Sequence, residues 1–221
     1  MGAMHEHEQG HHEHEENVFT QEFWDERYAA SQRVWSGHAN LRLVELAADL
    51  SPGTALDVGC GEGGDVLWLA ERGWQVTGAD VSTVALERAA RQAAEAGLAD
   101  RTSWLHVDLV AGDPLPGGAD LVTAMFVHVP DAVFDRVYTA VAEAVRPGGV
   151  LLVAGHHPAE RETDLRNPHL GHLLFPPDRV TRLLTDGWRV EVAEARTREQ
   201  VKDGETLVAT DTVVFARRQP A

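Results

Sequence analysis

The chain has a single cysteine, Cys60, in 221 residues, which rules out an intramolecular disulfide framework. No apolar run is long enough to span a bilayer, and the N-terminus lacks the basic and apolar regions of a signal peptide. Positive charge is also scarce: 19 Lys and Arg against 35 Asp and Glu give a formal net charge of −16. Without a basic stripe or tail, the chain is poorly suited to neutralising nucleic-acid phosphates or to adhering to an anionic membrane. These absences lead us to expect a cytoplasmic protein with neither nucleic acid nor membrane as partner. Apolar material is ample: 43% of residues are hydrophobic, enough for the packed core of one domain. No internal repeat or second boundary interrupts residues 17–221.

Residues 1–16 alternate His and Glu without apolar periodicity and read as a disordered tail. Clustered imidazoles there can capture zinc, nickel or copper, but a solvated extension needs no metal, and no metal site is assigned. Residues 18–50 follow a helical pattern, first through Phe19, Phe23, Trp24 and Tyr28, then through Leu41, Val44, Leu46 and Ala47. The period then changes. Strands are expected at 54–58, 74–79, 104–107, 120–127 and 150–154, alternating with helices at 66–72, 84–96 and 131–145. Ser82 is an N-cap, Gly97 a C-cap, and Arg146-Pro147-Gly148-Gly149 a turn. A polar segment at 155–177, a short helix at 178–185 and two strands at 188–195 and 207–216 complete the chain. Alternating elements imply right-handed parallel crossovers, and the closing hairpin implies an antiparallel edge, so the fold class is α/β.

The chemistry concentrates in Leu56-Asp57-Val58-Gly59-Cys60-Gly61-Glu62-Gly63-Gly64, with Asp80 ending the next apolar stretch. Gly59, Gly61 and Gly64 satisfy G-x-G-x-x-G, and Asp80 has about the spacing of a ribose-binding carboxylate, so a dinucleotide is one reading. Asp57 and Glu62 oppose it, because acids in that turn repel a pyrophosphate that needs uncompensated N–H groups. A cofactor with a ribose, a cationic amino group and a sulfonium fits without that conflict. In an open α/β sheet the ligand lies outside the C-terminal strand ends, where Asp57, Asp80, Asp108, Phe126 and His128 all fall.

At these residues the chain resembles the class I S-adenosylmethionine-dependent methyltransferases, whose first motif reads roughly D/E-x-G-x-G-x-G. The resemblance runs from about Trp24 to the C-terminus. It implies a Rossmann-like seven-stranded sheet of order 3-2-1-4-5-7-6 with strand seven antiparallel, helices on both faces and an N-terminal helical cap. It also implies S-adenosylmethionine as cofactor and S-adenosylhomocysteine as product. By the same resemblance Asp80 accepts both ribose hydroxyls, Asp108 accepts from the adenine amino group, and Val81 and Leu109 sandwich the ring. Gly59 and Gly61 allow close approach near methionine, Asp57 orients the glycine loop and the methionine amine, and Phe126, ending strand four, is a further candidate cofactor contact. A second reading of Asp108 is a simple turn former. Trp24-Asp25-Glu26-Arg27-Tyr28 with Trp35-Ser36-Gly37 is similar to the N-terminal cap of thiopurine and thiol methyltransferases. That similarity places Trp24 and Trp35 over the sulfonium, with core packing as the alternative.

Methyl transfer is an in-line displacement that depends mainly on positioning, so few catalytic groups are needed. His128, His156 and His157 fall at the ends of strands four and five, and each is a candidate base, a substrate contact or simply a hydrogen-bonded histidine. Ala124-Met125-Phe126-Val127-His128 lacks the Asn/Asp-Pro-Pro-Phe/Tyr signature of methylases acting on amide or exocyclic base nitrogens. That departure, with the acidity, favours a small-molecule acceptor, and the similarity to the thiol, thiopurine and tellurite-resistance branches implies that it bears a thiol, another chalcogen or a hydroxyl. In the 156–177 segment, Arg161 and Arg166 are candidate contacts for an anionic substrate, or the segment is a solvated lid. Two rival functions are a non-catalytic sensor of S-adenosylmethionine or metal, and an NAD-dependent oxidoreductase.

Overall fold

The computed structural model describes residues 18–163, 168–202 and 204–220, and the tail expected over 1–16 lies outside the described residues. In chain order the elements are α1 (Gln21–Ala29), α2 (Leu41–Ala47), β1 (Thr54–Val58), α3 (Gly64–Glu71), β2 (Gln75–Asp80) and α4 (Thr83–Glu95). They continue with β3 (Thr102–His106), β4 (Ala119–Met125), α5 (Asp131–Glu143), β5 (Val145–His156), α6 (Pro177–Thr181), β6 (Trp188–Lys202) and β7 (Glu205–Arg218). Short 3₁₀ turns at Pro158–Glu162 and Pro168–Leu173 connect β5 to α6.

The strands form one sheet in the order β3-β2-β1-β4-β5-β7-β6. β1 runs parallel to β2 and β4, β2 to β3, and β4 to β5, while β7 is antiparallel to both β5 and β6. Strand alternation divides the apolar residues between two layers. Ala55, Leu121, Val150 and Leu152 pack with Leu43 and Ala47 of α2, Val66 and Leu69 of α3, and Leu86 of α4. Leu56, Val58, Val122, Ala124, Leu151 and Val153 pack with Phe134, Val137, Tyr138 and Val141 of α5 and Val180 of α6. Helices thus cover both faces, and the resemblance gave the sheet order correctly.

The two helical stretches foreseen within 18–50 are α1 and α2, with the left-handed Gly37 (φ 75°) in the run between them, while two other elements differ from expectation. Residues 146–149 do not form a separate turn: they lie within β5, whose pairing with β4 shifts register between Ala119 and Leu121. The closing hairpin is longer than its apolar residues suggest, because β6 continues through Arg196, Arg198 and Gln200, paired residue by residue with β7.

Candidate active site

The loop after β1 is pinned to β2, since Gly59 N and Cys60 N both donate to Ala79 O at 2.8 and 3.0 Å. Gly59 and Gly61 are left-handed (φ 71° and 52°), a conformation open mainly to glycine. A Cβ on Gly59 would lie 2.6 Å from Val127 Cγ2, and one on Gly61 2.9 Å from Tyr28 Oη. The loop is therefore squeezed between the exit of β4 and the N-terminal aromatics. Half-buried Asp80 closes β2 and accepts from Gly61 N through Oδ2 at 2.8 Å and from Ser82 N through Oδ1 at 2.9 Å. Burial pushes its pKa up despite those donors.

Two more acids lie behind the loop. Asp57 is 2% exposed and accepts from Thr123 Oγ1 at 2.6 Å; burial, then the charge of Asp65, raises its pKa well above the ordinary carboxylate range. Asp65 accepts from Asn40 N at 2.5 Å, and burial pushes it up to about 6. Three carboxylates held this way favour a cationic ligand. Glu62 needs a correction. It does not stand in the ligand's path: it is buried, accepts from Val34 N and Trp35 N at 3.0 and 3.1 Å, and pairs with Arg88 at 3.1 Å. With its charge offset by Arg88, the electrostatic case against a pyrophosphate rests on Asp57, Asp65 and Asp80.

The N-terminal segment covers this loop. Trp35 Nε1 donates to Tyr28 Oη at 2.8 Å, and the Trp24 ring lies 6.0 Å from Tyr28 and 6.4 Å from Trp35. Trp35 is 49% exposed, so it is a cover over Gly61 and not core. The Arg27 guanidinium lies 5.6 and 5.8 Å from the Trp24 and Trp35 rings. Sequence reasoning passed over Asp25, which fastens this cover. Its carboxylate accepts from Ser82 Oγ at 2.6 Å, Val84 N at 3.2 Å and Thr83 Oγ1 at 3.3 Å, capping α4 from another helix beside Asp80. Burial opposes its charge, but these donors and Gln21 hold its pKa below the usual value.

At the end of β3, Asp108 Oδ1 accepts from Ala111 N at 2.8 Å and its own N–H donates to Asp113 at 2.9 Å, so it does form a turn. Its half-buried carboxylate lies next to half-buried Leu109, and Val81 occupies the equivalent place after Asp80.

On the β4–β5 side, Phe126 adopts φ 58°, unusual for a bulky residue. Its ring lies 4.5 Å from that of His156. His128 Nδ1 donates to Phe126 O at 2.9 Å, and the His128 ring stacks on His156 at 5.0 Å. A carbonyl only accepts, so the bond puts the proton on Nδ1 and leaves the Nε2 lone pair as the basic site of the neutral ring. His157 is used differently: its Nδ1 accepts from Ala159 N at 3.1 Å and caps the first 3₁₀ turn. Arg161 donates to Gly171 O at 2.9 Å and ties the two 3₁₀ turns together. Arg166 lies outside the described residues.

A buried ionic network adjoins these rings, and nothing in the local sequence announces it. Asp211, 1% exposed, accepts from Arg42 Nε at 3.1 Å and from Arg198 Nε at 3.0 Å. Arg42 is otherwise bonded to Glu45 and to the carbonyls of Arg196 and Thr197. Glu160, 1% exposed, accepts from Thr210 N at 2.7 Å and lies 3.5 Å from His156 Nδ1. His156, Glu160 and Asp211 offer ligand atoms within 4.8 Å of one another, but the two guanidiniums on Asp211 oppose a cation there.

Comparison with known proteins agrees with this arrangement. A family model described as a methyltransferase domain matches residues 55–149, from β1 to the start of β5. The chain is 39% identical over 139 residues to the methyltransferase GfsG of Streptomyces halstedii, a match covering 60% of this chain and 48% of that protein. The chain thus spans about half the length of that relative. A structure solved for the conversion of a disulfide bond into a thioacetal group during echinomycin biosynthesis superposes with TM-score 0.70. It is 25% identical and covers 90% of this chain and 91% of its own. TehB from Haemophilus influenzae shares the fold, with TM-score 0.67 at 18% identity, over 90% of this chain and 67% of its own.

Proposed function

Because the chain belongs to the class I S-adenosylmethionine-dependent methyltransferases, we propose that it methylates a small-molecule acceptor at a thiol, another chalcogen or a hydroxyl. The observation that carries this reading is Asp80, a carboxylate locked by Gly61 N and Ser82 N yet still half-exposed beside left-handed glycines that no Cβ could replace. Its remaining lone pairs suit ribose hydroxyls, and the Asp57–Asp65 pair behind the loop suits a cationic amino group. When bound, S-adenosylmethionine supplies an electrophilic methyl group.

The chain's own residues orient and enclose. Asp108, Val81 and Leu109 hold the adenine, while Gly59 and Gly61 permit close approach. Asp57 orients the loop, Trp24 and Trp35 exclude water, and Phe126 forms the wall towards the acceptor. His128 Nε2 takes the proton of an acceptor that carries one, and His156 holds the imidazole by stacking on it. His157 serves as a cap to the neighbouring turn. A sulfur acceptor is favoured by the solved relative that acts on a disulfide bond.

No helix among the described residues is long and apolar enough to cross a membrane. We place the protein in the cytoplasm as one catalytic domain over 17–221, without nucleic acid or membrane as partner. Calorimetric titration with S-adenosylmethionine, S-adenosylhomocysteine and NAD tests the reading. The first two should bind, and Asp80→Asn should weaken both about ten- to hundredfold, the worth of a hydrogen bond to a charged group. Binding of NAD alone would overturn it. Cofactor binding without product from a panel of thiols, phenols and amines would indicate a sensor.

A further inference from the structure

The ionic network beside the candidate base includes a guanidinium, that of Arg198, whose donors are only partly used. Arg42 is saturated: its Nε and both terminal nitrogens bond Asp211, Glu45 and two carbonyls. Arg198 differs. Its Nε donates to both oxygens of Asp211, at 3.2 and 3.0 Å, and its Nη1 donates to Gln200 Oε1 at 3.1 Å. Its Nη2 has no hydrogen-bond partner among the described residues, and the side chain is 23% exposed. Buried Asp211, anchored independently by Arg42, fixes the plane of this guanidinium.

What Arg198 faces gives this its meaning. Its Cζ lies 6.0 Å from the centroid of the Phe126 ring, which itself contacts His156. The residue after Phe126 is the one a Cβ on Gly59 would strike, so Phe126 lies between Arg198 and, one residue along the chain, the contact with the glycine loop. An arginine oriented by a buried carboxylate, with free donors at the edge of an apolar wall, is built to receive a planar anion.

We infer that Arg198 is a specificity-determining residue whose guanidinium binds a carboxylate of the methyl acceptor, with the apolar part of the acceptor against Phe126 and its nucleophilic atom towards His128. The proposal rests on the methyltransferase reading and narrows it to acidic acceptors. It also moves anion recognition from the 156–177 segment, where Arg161 is engaged with Gly171, to β6.

The test compares 3-mercaptopropionate with 3-mercaptopropionamide on the full chain, reading KM for S-adenosylhomocysteine release and, separately, binding of each thiol by ligand-observed NMR. The wild type should favour the carboxylate at least tenfold. Arg198→Gln should bring that ratio towards one, and Arg198→Lys, which keeps the charge but loses the fork, should lower it partway. Affinity for S-adenosylmethionine should stay within twofold in both variants. A wild-type ratio near one, or a folded variant that keeps the wild-type ratio, would overturn the proposal. If S-adenosylmethionine does not bind at all, the methyltransferase reading fails, and the NMR comparison still decides whether Arg198 selects carboxylates.

Discussion

Gly61 sits where three demands meet: a left-handed backbone, a hydrogen bond from its N–H to Asp80, and the Tyr28 hydroxyl 2.9 Å from where a Cβ would be. Gly61→Ala should cost about 1–3 kcal/mol in urea unfolding and weaken S-adenosylmethionine binding, because neither the strain nor the overlap can be relieved without moving the loop. The acids behind the loop shape the pH dependence. Asp65 is held at about 6 against an unfolded value of 3.8, so between those values the native state binds more protons than the unfolded chain. Stability of the cofactor-free protein should therefore fall as pH rises from about 4 to 6, by at most about 3 kcal/mol from this residue. Asp57 and Asp80 shift in the same direction. Denaturation midpoints across that range, compared with Asp65→Asn, check the sign: the variant should lose the part of the slope that Asp65 contributes and keep the part from Asp57 and Asp80.

Between elements, the contact to break is Asp25 on α4. Asp25→Ala removes a cap shared by Ser82, Thr83 and Val84, and with it the anchor of α1. We expect a loss of about 1–2 kcal/mol, seen in thermal unfolding, together with a change in tryptophan emission as Trp24 and Trp35 leave the loop. Such contacts also mark where the sequence stops being legible. The apolar runs of β1 to β4, the glycine turn and the Asp80 spacing could be read directly, because each is set by local chain chemistry. Asp25 with Ser82, Glu62 with Trp35, and Arg42 with Asp211 join residues 57, 27 and 169 positions apart, and no local pattern announces them. The far half of β6 was missed for a related reason. An edge strand with a solvated face alternates Arg, Thr, Glu and Gln, and its only signal was a period of two in Arg196, Arg198 and Gln200.

Across the whole molecule, Arg42 joins the N-terminal helices to the last two strands. It is 3% exposed and bonds Asp211 on β7 and two carbonyls of β6. Arg42→Ala should cost about 3–5 kcal/mol in equilibrium unfolding, chiefly because Asp211 keeps a buried charge with Arg198 as its remaining partner. Salt should do little to mask the loss, since the pair is shielded from solvent. The N-terminal helices are thus tied to the closing hairpin. Phe126 adds something of another kind. A bulky residue in the left-handed region carries about 1–2 kcal/mol of backbone strain, which the surrounding fold must outweigh before any ligand arrives. The wall it forms is therefore set during folding and does not adjust to the guest, which leaves adaptation to the aromatic cover and the hairpin on either side.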